Sequence, residues 1–363
     1  MIMAGGAGTR LWPMSRAHQP KQLIRFIQRE KGAEPASLLE LSAGRLEGLV
    51  PQDQRYICTG EKHREQIRAA LPMFDDEHVI GEPALRDTLN AVGLTAAVLE
   101  KRDPEAIFAV LTADHLIEPD ETFRACVEAG FALVEEDGSR LVTFAIKPTY
   151  PATGFGYVKR GSAIAADGPA RFAVDQFVEK PPIERATAYV ESGDYGWNAG
   201  MFVFKARTIM QLLAKHHPES EQGLRRVQAA WGTADQASVL GEVYPTLHKT
   251  SVDYGIMEPA SGDDAVTICG VEMDLRWLDV GSWPAYAETL DADSDGNGTS
   301  GLGDVALEDS RDNLVVTSPG HTVALLGCEG LVVVQTPEAT LVMPKDKAEQ
   351  LKALHGKVAA GLR

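Results

Sequence analysis

Apolar runs and amphipathic stretches alternate along the first 290 residues of the chain. The uninterrupted apolar run 106–111 is typical of a strand that is buried in a parallel sheet. The segments 89–99 and 123–134 instead carry apolar residues at helical spacing. Strands that alternate with helices in this way predict a doubly wound, Rossmann-like α/β domain, in which ligands bind at the carboxyl ends of the strands.

The same patterns predict the other elements of this domain. Strands are expected over 55–59, 79–83, 141–146 and 172–178 and from 195 onward, and helices over 63–71 and 208–231. Ser37 and Glu40 have the spacing of a capping box, which predicts that a helix begins there. Only residues 1–4 precede the first glycine, so the first strand is short or the start of the chain lies a few residues earlier.

Short β-type runs follow beyond residue 290, separated by glycine and proline turns. They lie at 313–316, 322–326 and 331–334. Such regular short strands predict a small β-solenoid or sandwich. A final helix is expected over 346–358. Its packed side would carry Ala348, Leu351, Leu354 and Val358.

The segment 291–298 joins these two parts and is rich in aspartate and glycine. It imitates the opening of an EF-hand calcium loop, but Leu302 stands where that loop needs a bidentate glutamate. A flexible acidic linker is the favoured interpretation. We therefore expect one domain over 1–290 and a second over 291–363, which comprises the linker, the β runs and the final helix.

Composition excludes several classes of protein. No window approaches the roughly 18 uninterrupted apolar residues of a membrane span, and no signal segment opens the chain, so a cytoplasmic location is expected. The cysteines are far apart and form no Cys-x-x-Cys pair. They are Cys58, Cys126, Cys269 and Cys328. Reduced, packed thiols are favoured over two disulfides.

The charge of the chain is distributed unevenly. A net charge of −17 argues against a nucleic-acid partner, which would need a basic face. The first 25 residues nevertheless contain no acid and four cations. These cations are Arg10, Arg16, Lys21 and Arg25. A small polyanion such as a nucleoside triphosphate could bind there.

The candidate chemistry begins in the same stretch. Gly5, Gly6 and Gly8 allow a sharp turn that exposes consecutive N–H groups, an arrangement that holds phosphates. The P-loop pattern does not fit, and Leu11 stands where the dinucleotide fingerprint needs its third glycine. A glycine-rich surface turn is the alternative interpretation. The cations that follow directly favour a phosphate site.

The loop Gly-Gly-x-Gly-Thr-Arg-Leu, with Pro20-Lys21-Gln22, resembles the signature of the sugar-nucleotide pyrophosphorylases. The continuation Leu-Trp-Pro-x-Ser-Arg resembles the mannose-1-phosphate guanylyltransferase branch of that family. Further family motifs follow in the expected order: Glu-Pro, Ala-Asp-His, Glu-Lys-Pro, Asn-Ala-Gly-Met-Phe, Asp-Tyr-Gly-Ile-Met-Glu and Leu-Asp-Val-Gly-Ser-Trp.

This resemblance implies a reaction and an architecture. GMP would be transferred from GTP to α-D-mannose 1-phosphate with Mg²⁺, giving GDP-mannose and pyrophosphate. No protein nucleophile is needed, because the sugar-phosphate oxygen attacks the α-phosphorus itself. The resemblance also implies a nucleotidyltransferase domain followed by a short left-handed β-helix domain, and a homodimer.

The resemblance assigns roles to individual residues. Catalytic roles fall to Arg10, Lys21 and Lys180, and metal binding falls to Asp114 and Asp279. Nucleotide-binding residues would be Gly5, Gly6, Gly8, Thr9, Glu82, Arg86 and Thr88, and sugar-binding residues Gly156, Glu179, Asn198 and Asp253. Without the resemblance, the sequence favours a strand-end cap for Asp114, a turn residue for Asp279 and an exposed lysine for Lys180; the resemblance reverses this preference for the two aspartates.

Two departures from the family pattern leave the substrate open. Asp87 replaces the usual asparagine of Arg-Asn-Thr, and Thr112 replaces the usual proline before Ala-Asp-His. An aspartate can accept from guanine N1–H and N2–H₂ but cannot donate to O6. The same chemistry on another sugar or nucleotide is therefore the first alternative. A non-catalytic sugar-nucleotide sensor is the second, although it would allow loss of the catalytic and metal residues, and none is lost.

Overall fold

The computed structural model describes residues 1–6, 8–17, 19–29 and 34–362. They form two compact units. The first unit comprises Met1–Ala4, Arg45–Thr112 and Ile117–Trp277. The second comprises Gly5–Gly44, Ala113–Leu116 and Leu278–Arg363. The glycine loop therefore belongs to the same unit as the C-terminal residues, and Ala7 of this loop lies outside the described residues.

The strands are β1 (Ile2–Met3), β2 (Arg25–Ile27), β3 (Ala36–Ser37), β4 (Ile57–Gly60), β5 (Val79–Glu82), β6 (Ile107–Thr112), β7 (His115–Glu118), β8 (Arg140–Ile146), β9 (Tyr157–Ile164), β10 (Arg171–Val178), β11 (Tyr195–Lys205), β12 (Thr267–Glu272), β13 (Arg276–Asp279), β14 (Gly298–Gly301), β15 (Asp304–Glu308), β16 (Leu314–Thr317), β17 (Thr322–Leu326), β18 (Leu331–Gln335) and β19 (Thr340–Pro344). The helices are α1 (Leu38–Gly44), α2 (Arg64–Ala70), α3 (Asp87–Arg102), α4 (Asp120–Glu136), α5 (Ile183–Ser192), α6 (Ala206–His216), α7 (Pro218–Ala230), α8 (Gln236–Val243), α9 (Glu258–Ala260), α10 (Trp283–Ala287) and α11 (Leu351–His355).

The first unit is built on a mixed sheet of order β5-β4-β1-β6-β11-β8-β12-β10-β9. Strand β1 has only two residues in this chain, yet it lies between β4 and β6 and is parallel to both. Met3 of β1 is paired with Thr112 of β6, so the chain leaves the sheet at neighbouring points after these two residues. The predicted α/β fold is confirmed, and both the glycine loop and Asp114 follow carboxyl ends of strands.

Helices cover the apolar strands of this sheet. Helix α3 packs against α6 and α7, and Gly93 permits the close approach, because a Cβ there would lie 2.7 Å from a methyl of Leu224. The single helix expected over 208–231 is wrong: α6 ends at His216 and α7 begins at Pro218. Proline lacks the N–H that would continue the helix and restricts the residue before it.

The second unit contains a β-helix-like coil of short strands. Strands β14, β16 and β18 are parallel and β19 closes their sheet in the antiparallel sense, while β15 pairs with β17 in a second sheet. Buried asparagines connect successive turns, since Oδ1 of Asn297 accepts from Nδ2 of Asn313 at 3.0 Å. Oδ1 of Asn313 accepts in turn from the N–H of Leu331 at 2.9 Å. The β-solenoid expected from the sequence is confirmed, and its left-handed sense stays a prediction.

The segment 291–298 is a hydrogen-bonded turn rather than the flexible linker that its composition favours. Oδ1 of Asp293 accepts from the backbone N–H groups of Asp295 and Asn297, at 2.9 and 2.8 Å. This carboxylate thus serves the turn that leads into β14. The position of a domain boundary at residue 290 stays a prediction.

The end of the chain also differs from expectation. Instead of one helix over 346–358, a 3₁₀ helix Lys345–Gln350 is followed by the short α11. Ala348 and Leu351 are buried as predicted, but Leu354 is 44% exposed, because the change of helix type rotates it away from the packed side. Within the described ranges, no helix combines the length and the apolar character that crossing a membrane requires.

One hydrophobic cluster connects the glycine loop with the β-helix strands of the second unit. Leu11 and Trp12, which follow the glycines, are buried in it together with Trp283. Leu314, Val316, Val332, Val334, Leu341 and Met343 contribute from the strands β16, β18 and β19.

The capping box of α1 is confirmed, since the N–H of Ser37 donates to Glu40 at 2.7 Å and the N–H of Glu40 donates to the Ser37 hydroxyl at 3.2 Å.

Candidate active site

The glycine loop turns sharply around the side chain of Lys21. Gly6 and Gly8 have φ angles of 101° and 60°, a region that other residues rarely adopt. A Cβ on Gly8 would lie 2.8 Å from Cβ of Lys21, so only glycine allows this approach. Ser15 fixes the far side of the turn by donating its hydroxyl to the carbonyl of Gly8.

This packing leads to a stability prediction for the loop. Gly8→Ala is expected to lower the free energy of unfolding by about 1–3 kcal/mol, because alanine is strained at this φ and its methyl group meets Lys21. Gly5→Ala is the matched control, since a Cβ there would meet nothing within 4 Å. Urea unfolding of both variants checks it, and equal losses for the two would contradict it.

Lys21 joins the two aspartates that the sequence singles out. Its Nζ donates to Oδ2 of Asp114. Although burial opposes it, the carboxylates of Asp114 and Asp279 raise the pKa of Lys21. Burial likewise opposes ionisation of Asp114, yet Lys21 and His115 lower the pKa of Asp114 to about 2. Lysine and carboxylate are therefore both charged at neutral pH.

The backbone explains why residues 165 positions apart act on one lysine. Strands β7 and β13 pair with each other, and the N–H of Val280 donates to the carbonyl of Asp114 at 3.2 Å. Asp114 stands directly before β7 and Asp279 is the last residue of β13. The pairing of these two short strands brings both carboxylates to Lys21.

Arg10 completes this group of charges. A Cβ on Gly281 would lie 3.2 Å from Nη2 of Arg10 and 3.1 Å from Oδ1 of Asp279, so the absence of a side chain at Gly281 leaves room for both groups. Nη1 of Arg10 donates to Oε1 of Glu349 at 2.8 Å. We call Arg10, Lys21, Asp114 and Asp279 the phosphate cluster.

The phosphate cluster has the donor set of a magnesium–triphosphate site. Mg²⁺ is typically held by one or two carboxylates together with phosphate oxygens and water, and Asp114 and Asp279 supply two carboxylates. Elsewhere in the described ranges, no group of three or more histidine, cysteine or acidic side chains is arranged to hold a metal on protein ligands alone. Arg10 and Lys21 supply the positive charge that phosphates need.

Asn198 is the centre of a second set of predicted residues, which lies in the first unit. Its Oδ1 accepts from the hydroxyl of Thr143 at 2.8 Å and from the N–H of Gly200 at 3.1 Å. Its Nδ2 donates to Oδ1 of Asp253 at 2.8 Å, and its N–H donates to the carbonyl of Gly156 at 2.8 Å. These bonds fix which way the amide faces.

Glu179 lies against Gly156 with one carboxylate oxygen unused. A Cβ on Gly156 would lie 2.5 Å from Oε2 of Glu179, so the glycine is required for this contact. No donor within the described part of the chain reaches that buried Oε2. Burial and then Asp253 raise the pKa of Glu179. A buried oxygen without a donor is what a ligand hydroxyl would satisfy.

Lys180, two residues after the end of strand β10, adopts a strained backbone conformation. Its φ is 45°, which is uncommon for a residue other than glycine, asparagine or aspartate. Its Nζ donates to Oε1 of Glu179, and although burial opposes it, Glu179 raises the pKa of Lys180. Such strain persists at sites where the surrounding structure holds a functional side chain in place. We call Gly156, Glu179, Lys180, Asn198 and Asp253 the sugar cluster.

The predicted base-binding residues have structural contacts in the first unit. Oε1 of Glu82 accepts from the hydroxyl of Tyr244 at 2.6 Å, and burial raises the pKa of Glu82. The hydroxyl of Thr88 accepts from the N–H of Val252 at 2.9 Å, next to Asp253. Arg86 stands at the N-cap of α3, where its backbone carbonyl accepts from Asn90 at 3.2 Å.

The backbone also accounts for Asp87, which departs from the family pattern. Its φ is 64°, in the left-handed region that asparagine and aspartate tolerate best after glycine. Its Oδ1 accepts from the N–H of Thr88 at 2.9 Å. Aspartate therefore preserves the turn that asparagine would make here.

Sequence reasoning missed two residues that support these groups. Thr143 is fully buried and orients the amide of Asn198, and Tyr244 holds Glu82. Thr143 stands inside the apolar strand β8. A polar residue at a position expected to be buried needs a hydrogen-bond partner, and this is the signal that could have found it. Tyr244 follows an ordinary helix and gives no signal in the sequence.

Comparison with known proteins identifies the two parts of the chain. The family model for nucleotidyl transferases matches residues 1–296. The family model for the mannose-phosphate isomerase/GMP-like β-helix domain matches residues 303–357. Both matches agree with the fold of the described residues.

Individual relatives are similar over nearly the whole chain. A mannose-1-phosphate guanylyltransferase of Escherichia coli is 37% identical over 97% of this chain and 72% of its own length. The mannose-1-phosphate guanylyltransferase ManC of Salmonella typhimurium is 37% identical over 99% of this chain and 73% of its own length. The crystal structure of mannose-1-phosphate geranyltransferase from Thermus thermophilus has a TM-score of 0.83 and 31% identity, covering 98% of this chain and 97% of that one. The chain belongs to the mannose-1-phosphate guanylyltransferase family of nucleotidyl transferases.

Proposed function

We propose that the protein transfers GMP from GTP to α-D-mannose 1-phosphate and releases GDP-mannose and pyrophosphate. The observation that carries the proposal is the phosphate cluster, in which Lys21 joins Asp114 and Asp279 beside a glycine loop and Arg10. The names and the 37% identity of the relatives support the choice of guanine and mannose.

The phosphate cluster would act on the triphosphate. The N–H groups of Gly5, Gly6, Gly8 and Thr9 can donate to phosphate oxygens. Lys21 and Arg10 neutralise the charge that develops on the departing pyrophosphate, and the planar guanidinium of Arg10 can bind two oxygens at once. The bond from the α-phosphorus to pyrophosphate breaks as the sugar-phosphate oxygen bonds to the same phosphorus.

Asp114 and Asp279 would hold Mg²⁺, which fits two carboxylates that already attract a cation, the ammonium of Lys21. When bound, the ion neutralises phosphate charge and aligns the phosphates. In that case the ammonium of Lys21 would be displaced from Asp114 and could donate to a phosphate oxygen.

The sugar cluster would bind the second substrate. Lys180 supplies a compact positive charge for the phosphate of the sugar. The unused Oε2 of Glu179 accepts from a sugar hydroxyl, and Asn198 and Asp253 contribute a fixed amide and a carboxylate. Glu82, Arg86 and Thr88 would contribute to the nucleotide site, with Glu82 held by Tyr244.

A substrate panel tests the proposal. We expect pyrophosphate release with GTP and mannose 1-phosphate, and at least about 10-fold less with ATP, UTP or dTTP, because a site that pairs with a base rejects bases that leave its polar groups unpaired. The assay combines each nucleotide with mannose, glucose and heptose 1-phosphates in the presence of Mg²⁺. Turnover with UTP or dTTP alone would overturn the guanine assignment.

One observation keeps a sister enzyme as the second candidate. Asp87 preserves the turn but cannot donate to O6 of guanine, so another base or sugar remains compatible with the same chemistry. The same panel decides between the two. Binding of GDP-mannose without any turnover would instead favour a sensor.

The homodimer and the cytoplasmic location stay predictions. Light scattering of the purified protein tests the homodimer.

A further inference from the structure

We propose that the turn between β18 and β19, residues 336–339, positions the glycine loop for the triphosphate through Arg16, with Glu338 and Thr336 as positioning residues. The proposal rests on the proposed function for its kinetic part. Neither residue is assigned a role by the family motifs in the sequence.

Arg16 lies in a buried environment. Its side chain is only 7% exposed, although it carries a positive charge. Nη2 of Arg16 donates to Oε2 of Glu338 at 3.0 Å and to the hydroxyl of Thr336 at 3.2 Å, and Nε donates to the carbonyl of Pro13 at 3.0 Å. A buried guanidinium needs such partners, and losing one of them is costly.

The backbone of Arg16 is hydrogen-bonded to the segment that leads to Lys21. Its backbone pairs with Gln19 in both directions, at 2.9 and 3.0 Å, and Pro20 and Lys21 follow directly. Ser15, its neighbour, donates to the carbonyl of Gly8. Arg16 therefore stands in the sequence between the glycine turn and Lys21, and its backbone and the side chain of its neighbour Ser15 are bonded toward both.

The C-terminal residues hold the same loop at two further points. Nε1 of Trp12 donates to the carbonyl of Leu362 at 2.7 Å. Arg10 donates to Glu349, but these two side chains are 42% and 77% exposed, so this pair contributes little. Trp12 and Arg16 are both buried, but only the guanidinium of Arg16 loses an ion pair when its partner is removed, so the contact through Arg16 carries the proposal.

The turn itself is rigid enough to serve as an anchor. The N–H of Thr336 donates to the carbonyl of Ala339 at 2.9 Å, and the N–H of Ala339 donates to the hydroxyl of Thr336 at 3.2 Å. Strands β18 and β19, which it joins, are paired along their whole length. Contact with this rigid turn would limit the conformations that the glycine-rich loop can adopt.

The test compares Glu338→Ala with Glu329→Ala in the full chain. Glu329 pairs with Arg311 at 2.9 Å in the same part of the second unit and is similarly exposed, 63% against 56% for Glu338. For Glu338→Ala we expect faster amide hydrogen exchange in residues 8–17 and a KM for GTP about 10-fold higher, with the KM for mannose 1-phosphate changed less than about twofold. Glu329→Ala should leave the exchange rate and both KM values unchanged.

Thr336→Val supplies a second variant that keeps the charge pair but removes the hydroxyl, and a smaller change in the same direction is expected. Equal hydrogen exchange and equal KM for GTP in Glu338→Ala and the wild type would overturn the proposal. If exchange in residues 8–17 rises but the wild type shows no turnover with any nucleotide, the positioning role stands and the proposed function fails.

Discussion

Asp114→Asn is expected to lower kcat for pyrophosphate release about 100- to 1000-fold. The change removes one of the two carboxylates proposed for Mg²⁺ and the negative charge that Nζ of Lys21 now contacts. Asparagine has nearly the same shape, so the backbone contact between Asp114 and Val280 should persist. Initial rates over a range of Mg²⁺ concentrations measure the effect.

A matched variant separates this loss from general damage. The side chain of Asp120 is exposed to the same extent as that of Asp114, 24% in both, and it also has a basic partner, Arg45. Asp120→Asn should retain activity within about threefold. A similar loss of kcat in both variants, or wild-type activity in Asp114→Asn, would contradict the metal assignment.

Features of the chain that depend on local sequence could be predicted. The capping box of α1 needs only the spacing of Ser37 and Glu40, and its two hydrogen bonds are present. The buried strand β6 needs only an apolar run, and parallel strands of such a domain carry ligands at their carboxyl ends. Asp114 could therefore be placed at the correct edge of the sheet.

Features that depend on contacts between distant segments could not be predicted from the sequence. Asp114 and Asp279 act on the same lysine because β7 and β13 pair, and no pattern in either short strand predicts that partner. Thr143 supports Asn198 from 55 positions away, and Arg16 meets Glu338 from 322 positions away. Arg16 stands in a family motif, whereas no motif in the sequence marks Thr143 or Glu338 as the residues that these side chains contact.

Local signals also failed where backbone conformation changes within a segment. The final helix has the apolar spacing of a continuous α-helix, but its first turns are 3₁₀, which shifts Leu354 to the exposed side. The positive φ of Lys180 could not be predicted either, since nothing in Glu-Lys-Pro indicates it. Backbone strain of this kind is visible only in the folded chain, and at Lys180 it coincides with the sugar cluster.

Lys180→Ala and Lys180→Gly are expected to lower kcat/KM for mannose 1-phosphate equally, by about 100-fold, because both remove the charge proposed to bind its phosphate. The KM for GTP should change less than about threefold in either variant. Steady-state rates with each substrate varied in turn measure both effects. Full activity in either variant would mean that Lys180 does not bind the sugar phosphate.

The two variants differ in one physical respect, which tests the strain separately from the charge. Both lose the contact with Oε1 of Glu179, but only alanine must hold its Cβ at a φ of 45°. We therefore expect Lys180→Gly to be more stable than Lys180→Ala by about 1 kcal/mol in urea unfolding. Equal stability would show that this conformation costs nothing here. A difference in stability together with equal loss of activity would show that the chain accepts a strained backbone at the position where it needs the ammonium.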